Sequence, residues 1–109
     1  VVETSRVGRI LGFADDRIIL PTIRRTGRWA DEETAFVERV LRPGMHALDV
    51  GANIGYFAML FSDLVGPTGG VLAVEADPTT CAVLHANLRG RPPGNVEILN
   101  VAAGAAAGE

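Results

Sequence analysis

The 109-residue chain has no lysine, a single cysteine and a single tryptophan. It also has no apolar run near the ~20 residues needed to span a bilayer, so no membrane partner is expected. One cysteine, Cys81, cannot close an internal disulfide or build a thiolate metal site. It falls in a helical stretch, where a small buried hydrophobe is the expected role. His46 and His85 read as structural or exposed, and no metal is expected. The start of the chain lacks the apolar centre of a signal peptide, so the expected address is the cytoplasm. A net charge of −3 is too small to point to a polyanion.

What is present describes one small domain with a modest core. Apolar residues make up 48% and charged residues 21%, which suits a globular chain. The charge is uneven. Residues 1–28 hold six arginines (Arg6, Arg9, Arg17, Arg24, Arg25, Arg28) against Glu3, Asp15 and Asp16. The remainder, 29–109, holds four arginines against ten carboxylates. A basic leading segment can meet an acidic partner or substrate, although a solvated hairpin with scattered arginines accounts for it more simply.

Residues 1–28 read as an N-terminal arm or hairpin, with Arg17-Ile18-Ile19-Leu20 as its best strand, stopped by Pro21. Asp31 reads as the cap of a helix with Glu32 and Glu33 in its first turn, and with Phe36, Val37, Val40 and Leu41 on one face. Pro43-Gly44 ends it. His46–Val50 is a short, mostly apolar strand of the kind a parallel sheet buries. A helix follows from Tyr56 to about Val65, then a second apolar strand, Val71–Glu75. Asp77-Pro78 opens a third helix to about Arg89, and Val96–Leu99 makes a third strand. The order helix, β, α, β, α, β specifies an α/β, Rossmann-like three-layer sandwich on a parallel sheet, truncated after its third core strand.

In open parallel sheets, ligands bind beyond the carboxyl ends of the strands. Two features fall there: the turn Asp49-Val50-Gly51-Ala52-Asn53-Ile54-Gly55 and the acid Glu75. Gly51 lets a ligand lie against the turn, Asn53 tolerates positive φ, and Gly55 lets the next helix pack close. The helix start offers free N–H groups to an anion. Glu75 stands near the ~20-residue offset at which an acid grips ribose hydroxyls. Its two oxygens match a vicinal diol. The turn is a poor match to the G-x-G-x-x-G pattern of NAD sites. S-adenosylmethionine has no pyrophosphate but carries a sulfonium and an amino group, which suit an acid at Asp49. Trp29 with Glu32 and Glu33 can lie over the methionine end of that ligand, although capping and core packing come first for them.

The run from Arg42-Pro43-Gly44 through Asp49-Val50-Gly51-Ala52-Asn53-Ile54-Gly55-Tyr56 resembles motif I of class I methyltransferases, and its wording is particularly similar to the FkbM family. Further matches are Gly66-Pro67, Gly69, Val74-Glu75-Ala76-Asp77-Pro78, Leu84, Asn87, Asn95-Val96, Ala102 and Gly108. The resemblance covers roughly residues 27–109. Ala76 departs from it, where the family often has proline.

The resemblance implies the S-adenosylmethionine-binding half of a methyltransferase domain over residues 29–109. Asp49, Gly51, Ala52, Asn53, Gly55, Glu75, Ala76 and Ala102 would bind the cofactor. The implied reaction is O-methylation of a hydroxyl on a small molecule or sugar, with the substrate side and the general base expected in a missing half. A nucleic-acid methyltransferase would share this cofactor half, although the acidity of residues 29–109 argues against it. A catalytically silent nucleotide-binding fragment is the other alternative.

Overall fold

The computed structural model describes residues 1–102. Of the motif matches, Gly108 lies outside the described residues. The order of elements is β1 (Val2–Thr4), β2 (Gly8–Ile10), α1 (Ile19–Thr26), α2 (Asp31–Val40), β3 (His46–Val50), α3 (Tyr56–Val65), β4 (Gly70–Val74), α4 (Pro78–Leu88) and β5 (Val96–Leu99).

From β3 onward the alternation produces a parallel sheet in the order β3-β4-β5. Asp49 registers with Ala73 and Val50 with Val74, while Val74 registers with Leu99. Strand ends and the loops after them therefore lie side by side. Alternation along each strand sends Ala73, Val96 and Ile98 toward the helices, where they pack with Ala58, Leu84 and Leu88. The helices α3 and α4 thus share one face of the sheet. The opposite face carries Leu48 and Val50, 60% and 56% exposed. Two layers of the three-layer sandwich are built by the described residues.

The leading segment differs from its sequence reading. The hairpin exists, but its strands are β1 and β2, paired antiparallel with Val2 opposite Ile10. Arg17–Leu20 is not a strand, because Asp16 starts a helix instead. The Asp16 carboxylate accepts the N–H groups of Ile18, Ile19 and Leu20 at 2.8–3.0 Å. Pro21 falls in the first turn of α1, where a missing N–H costs nothing. Asp31 is the first residue of α2 and not its cap, which is Ala30 at φ 52°. On α2 the buried residue is Thr34, whereas Phe36 and Val40 are exposed.

One core cluster joins the leading segment to the rest. Val2, Val7, Ile10, Leu20 and Ile23 pack with Ile54, Tyr56, Met59 and Leu60. Ile10, Ile23 and Met59 are wholly buried, each contributing roughly 1.5–3 kcal/mol of apolar transfer. Asn87 adds a polar tie. Its side chain accepts from Leu11 N–H at 2.7 Å and donates to the carbonyls of Leu11 and Ile54. Cys81 is buried and free, a small apolar filler.

Candidate functional site

The turn after β3 is held by the neighbouring strand. Gly51 and Ala52 both donate to the Val74 carbonyl, at 2.8 and 3.0 Å. Gly51, Asn53 and Gly55 all have positive φ, at 73°, 56° and 108°. Asparagine is among the few non-glycine residues that adopt this conformation readily, which is why it can stand between the two glycines. At Gly51 an added Cβ would meet nothing within 4 Å among the described residues, so the turn borders open space there. At Gly55 it would meet Leu84 Cδ1 at 2.7 Å, so close packing of α3 against α4 excludes a side chain.

Glu75 follows β4 directly. Its Oε1 accepts the Asn53 N–H at 2.8 Å and its Oε2 accepts the Asp77 N–H at 3.0 Å. The carboxylate is thereby fixed against the glycine turn, and each oxygen keeps a lone pair for a further donor. Asn100, just past β5, donates to the Glu75 and Ala76 carbonyls and steadies that loop from the far side.

Asp49 points from β3 to the helix side of the sheet. Its Oδ2 is buried and has no hydrogen-bond partner among the described residues. Burial first, then the negative charge of Glu75, raises its pKa to about 6. An anion held this way is short of a positive or donating partner. It opens on a cavity of about 190 Å³ lined also by Gly51, Asn53, Gly55, Trp29 and Tyr56. The cavity ends at the start of α3, whose first turn carries no acidic side chain and no side-chain cap. An ammonium suits Asp49, and a carboxylate suits the free N–H groups of the helix start.

Of the residues read from sequence, Asp49, Gly51, Ala52, Asn53 and Gly55 come together around this cavity, and Glu75 is bonded to its edge. Ala76 is exposed in the loop after β4. Ala102 is exposed beyond β5 and does not border the cavity. Trp29 lines the cavity, while Glu32 and Glu33 sit exposed in the first turn of α2. Tyr56, the last residue of the motif run, also lines it, as does Ile19, which had no sequence signal because its place depends on how the leading segment folds back.

Comparisons with known proteins bear on the family and the fold. A family model described as protein-L-isoaspartate(D-aspartate) O-methyltransferase matches residues 30–107. A protein-L-isoaspartate O-methyltransferase of Methanothrix thermoacetophila is 39% identical over 59 residues, covering 54% of this chain and 28% of that protein. The 31-O-demethyl-FK506 methyltransferase FkbM of Streptomyces tacrolimicus is 50% identical over 58 residues, covering 52% of this chain and 22% of its own. A crystal structure of a SAM-dependent methyltransferase from Aquifex aeolicus superposes with a TM-score of 0.56 at 30% identity, over 64% of this chain and 37% of its own. The chain spans 16–28% of the length of the curated relatives it matches.

Proposed function

Since the chain belongs to the protein-L-isoaspartate(D-aspartate) O-methyltransferase family, we propose that the protein containing it transfers a methyl group from S-adenosylmethionine to an oxygen acceptor. The observation that carries this reading is the pairing of Asp49, buried with a partnerless oxygen, with Glu75, fixed 2.8 Å from the Asn53 amide.

The residues fit the cofactor at three points. Asp49 would take the amino group of its methionine end, and the charge of that cation would offset the burial that raises the Asp49 carboxyl. The start of α3 would take its carboxylate. Glu75 would take the ribose hydroxyls on its remaining lone pairs. The cavity of about 190 Å³ is smaller than the roughly 300–1,000 Å³ of a whole ligand pocket, so it suits one end of an elongated molecule. Gly51, Ala52, Asn53 and Gly55 would form the wall beneath that end, with Ala76 and Ala102 toward the base. When bound, the cofactor supplies a methyl group already activated on a sulfonium. The chain's own task is then orientation of donor and acceptor and exclusion of water.

The family model and three of the curated relatives are protein-L-isoaspartate O-methyltransferases by name, whereas the FkbM resemblance rests on one relative. Both imply oxygen as the nucleophile. A carboxylate is already anionic, while a hydroxyl needs its proton removed. Product chemistry separates them. With a radiolabelled methyl donor, a methyl ester releases volatile methanol in mild base and a methyl ether does not. Label transfer to an oxygen acceptor of either kind supports the reading, and transfer only to nitrogen or carbon would refute it.

A further inference from the structure

Helix α2 presents an outer face that the described residues leave open. Phe36 and Val40, one turn apart, are 57% and 47% exposed. The buried side lies opposite them, at Thr34, with Val37 half-buried against the core. With about 3.6 residues per turn, positions seven apart share a stripe. Glu32 and Arg39 form one such stripe, Glu33 and Val40 another, and Phe36 stands between the two. The face is an apolar centre with two acids toward the N-terminal end of the helix and a guanidinium toward its C-terminal end.

The charges of α2 fall into two groups. On the side toward the leading segment, Glu38 is bridged by Arg6 and Asp31 by Arg28. On the outer face, Glu32, Glu33 and Arg39 are exposed and have no ion pair among the described residues. A lone exposed apolar side chain is ordinary on a protein surface. Here a phenylalanine and a valine stand together, and the free charges beside them have opposite signs at opposite ends.

That arrangement selects the occupant. A partner must offer an apolar centre, a cation facing Glu32 and an anion facing Arg39. A second copy of α2, running antiparallel, offers all three. A twofold axis at Phe36 brings this ring against its own equivalent and sets Glu32 against the partner's Arg39. By the same symmetry Arg39 meets the partner's Glu32, and Val40 lies along the stem of the partner's Glu33. Running parallel, the two helices would set acid against acid and arginine against arginine, which repel. A shallow crossing of about 20° keeps the ion pairs in reach, because their residues lie only three and four positions from the centre.

We propose that the outer face of α2 is the interface of a symmetric, antiparallel homodimer, closed by Phe36 and by two reciprocal Glu32–Arg39 ion pairs. Such pairing goes beyond methyl transfer and does not depend on it. The helix is 10 residues long, about 15 Å, so its contact is small beside the roughly 800 Å² per partner of a standard interface. The dimer should therefore be weak and should dissociate in the micromolar range.

The test is sedimentation velocity on the complete protein from about 1 to about 200 μM, a span that brackets micromolar dissociation. The mass should rise from one copy toward two. Phe36→Ser should raise the dissociation constant at least tenfold with an unchanged circular dichroism spectrum, because the ring is exposed in the single chain. Glu32→Arg and Arg39→Glu should each raise it at least fivefold, since either one turns both ion pairs repulsive. The Glu32→Arg, Arg39→Glu double variant should return to within threefold of wild type, and the two single variants, mixed, should pair with each other. One copy at every concentration would overturn the proposal, as would a mass beyond two copies. An association that Phe36→Ser leaves intact, or a double variant no tighter than either single one, would overturn it too. Collapse of the circular dichroism spectrum in Phe36→Ser would show that the protein's own chain covers this face, which also overturns it.

Discussion

Glu75 accepts the amide of Asn53 at 2.8 Å, so the acid after β4 and the glycine turn after β3 form one rigid rim. The same carboxylate accepts the Asp77 amide at the entry to α4. One side chain therefore ties together the ends of two strands and the start of a helix, where a nucleoside would cross them.

Replacing Glu75 by alanine removes that rim. S-adenosylhomocysteine binding should weaken by about 1–3 kcal/mol, and the freed Asn53 and Asp77 amides should lower the melting temperature as well. Glu75→Gln retains a carbonyl acceptor, so it should melt nearer wild type while still losing affinity. Calorimetry beside thermal melts reads both. Wild-type affinity in both variants would remove Glu75 from the site.

Asp49 should oppose the fold that it serves. Its pKa is about 6 in the folded chain against the ordinary 3.8, so between those values the folded state holds a proton that the unfolded state has lost. Its contribution to stability therefore falls as pH rises through this window and stays low above it. Asp49→Asn should stabilise the fold at pH 7.5 by about 1 kcal/mol, a figure reduced for residual contact with water, and by little at pH 4. Cofactor affinity should move the other way. It should rise with pH through about 6 in wild type, and be weaker and flat with pH in the variant. Chemical denaturation and calorimetry across pH 4–8 would check both directions.

The two glycines of the turn should behave differently. Gly55→Ala forces a Cβ to within 2.7 Å of Leu84 at φ 108°, so it should cost roughly 2–3 kcal/mol of stability. Gly51→Ala places its Cβ in open space at φ 73°, so it should cost about 1 kcal/mol, yet narrow the cavity and weaken cofactor binding. Equal losses of stability would contradict the packing described here.

Asn87 should couple the leading segment to the site. Asn87→Ala removes three hydrogen bonds, to Leu11 twice and to Ile54, and should cost about 1–3 kcal/mol. Hydrogen exchange should quicken first at the Leu11 amide. No change in exchange there would show that the core cluster alone holds the segment.

The parallel sheet and the turn that Glu75 braces were legible because their signals are local. Apolar runs at Ala47–Val50 and Val71–Val74, glycines at 51 and 55, and the Asp77-Pro78 helix start each state their role within a few residues. The leading segment was not legible in the same way. Ile18-Ile19-Leu20 is a strand by composition, and only the three amides gathered by Asp16 make it the entry to a helix. On α2, helical spacing picked Phe36, Val37, Val40 and Leu41; Val37 packs against the core, whereas Phe36 and Val40 are exposed and Thr34 is buried instead. Tyr56 was visible as a helix residue. Its packing against a hairpin more than 40 positions earlier is something no local pattern carries.

The rim from Asp49 to Glu75 is proposed to hold S-adenosylmethionine. Calorimetric titration of the complete protein with S-adenosylhomocysteine and, separately, with NAD tests it most directly. One-to-one binding of S-adenosylhomocysteine is expected, lost or strongly weakened in the Asp49→Asn, Glu75→Ala double variant, with no measurable heat from NAD. Tight NAD binding, or S-adenosylhomocysteine binding unaltered in that double variant, would contradict it.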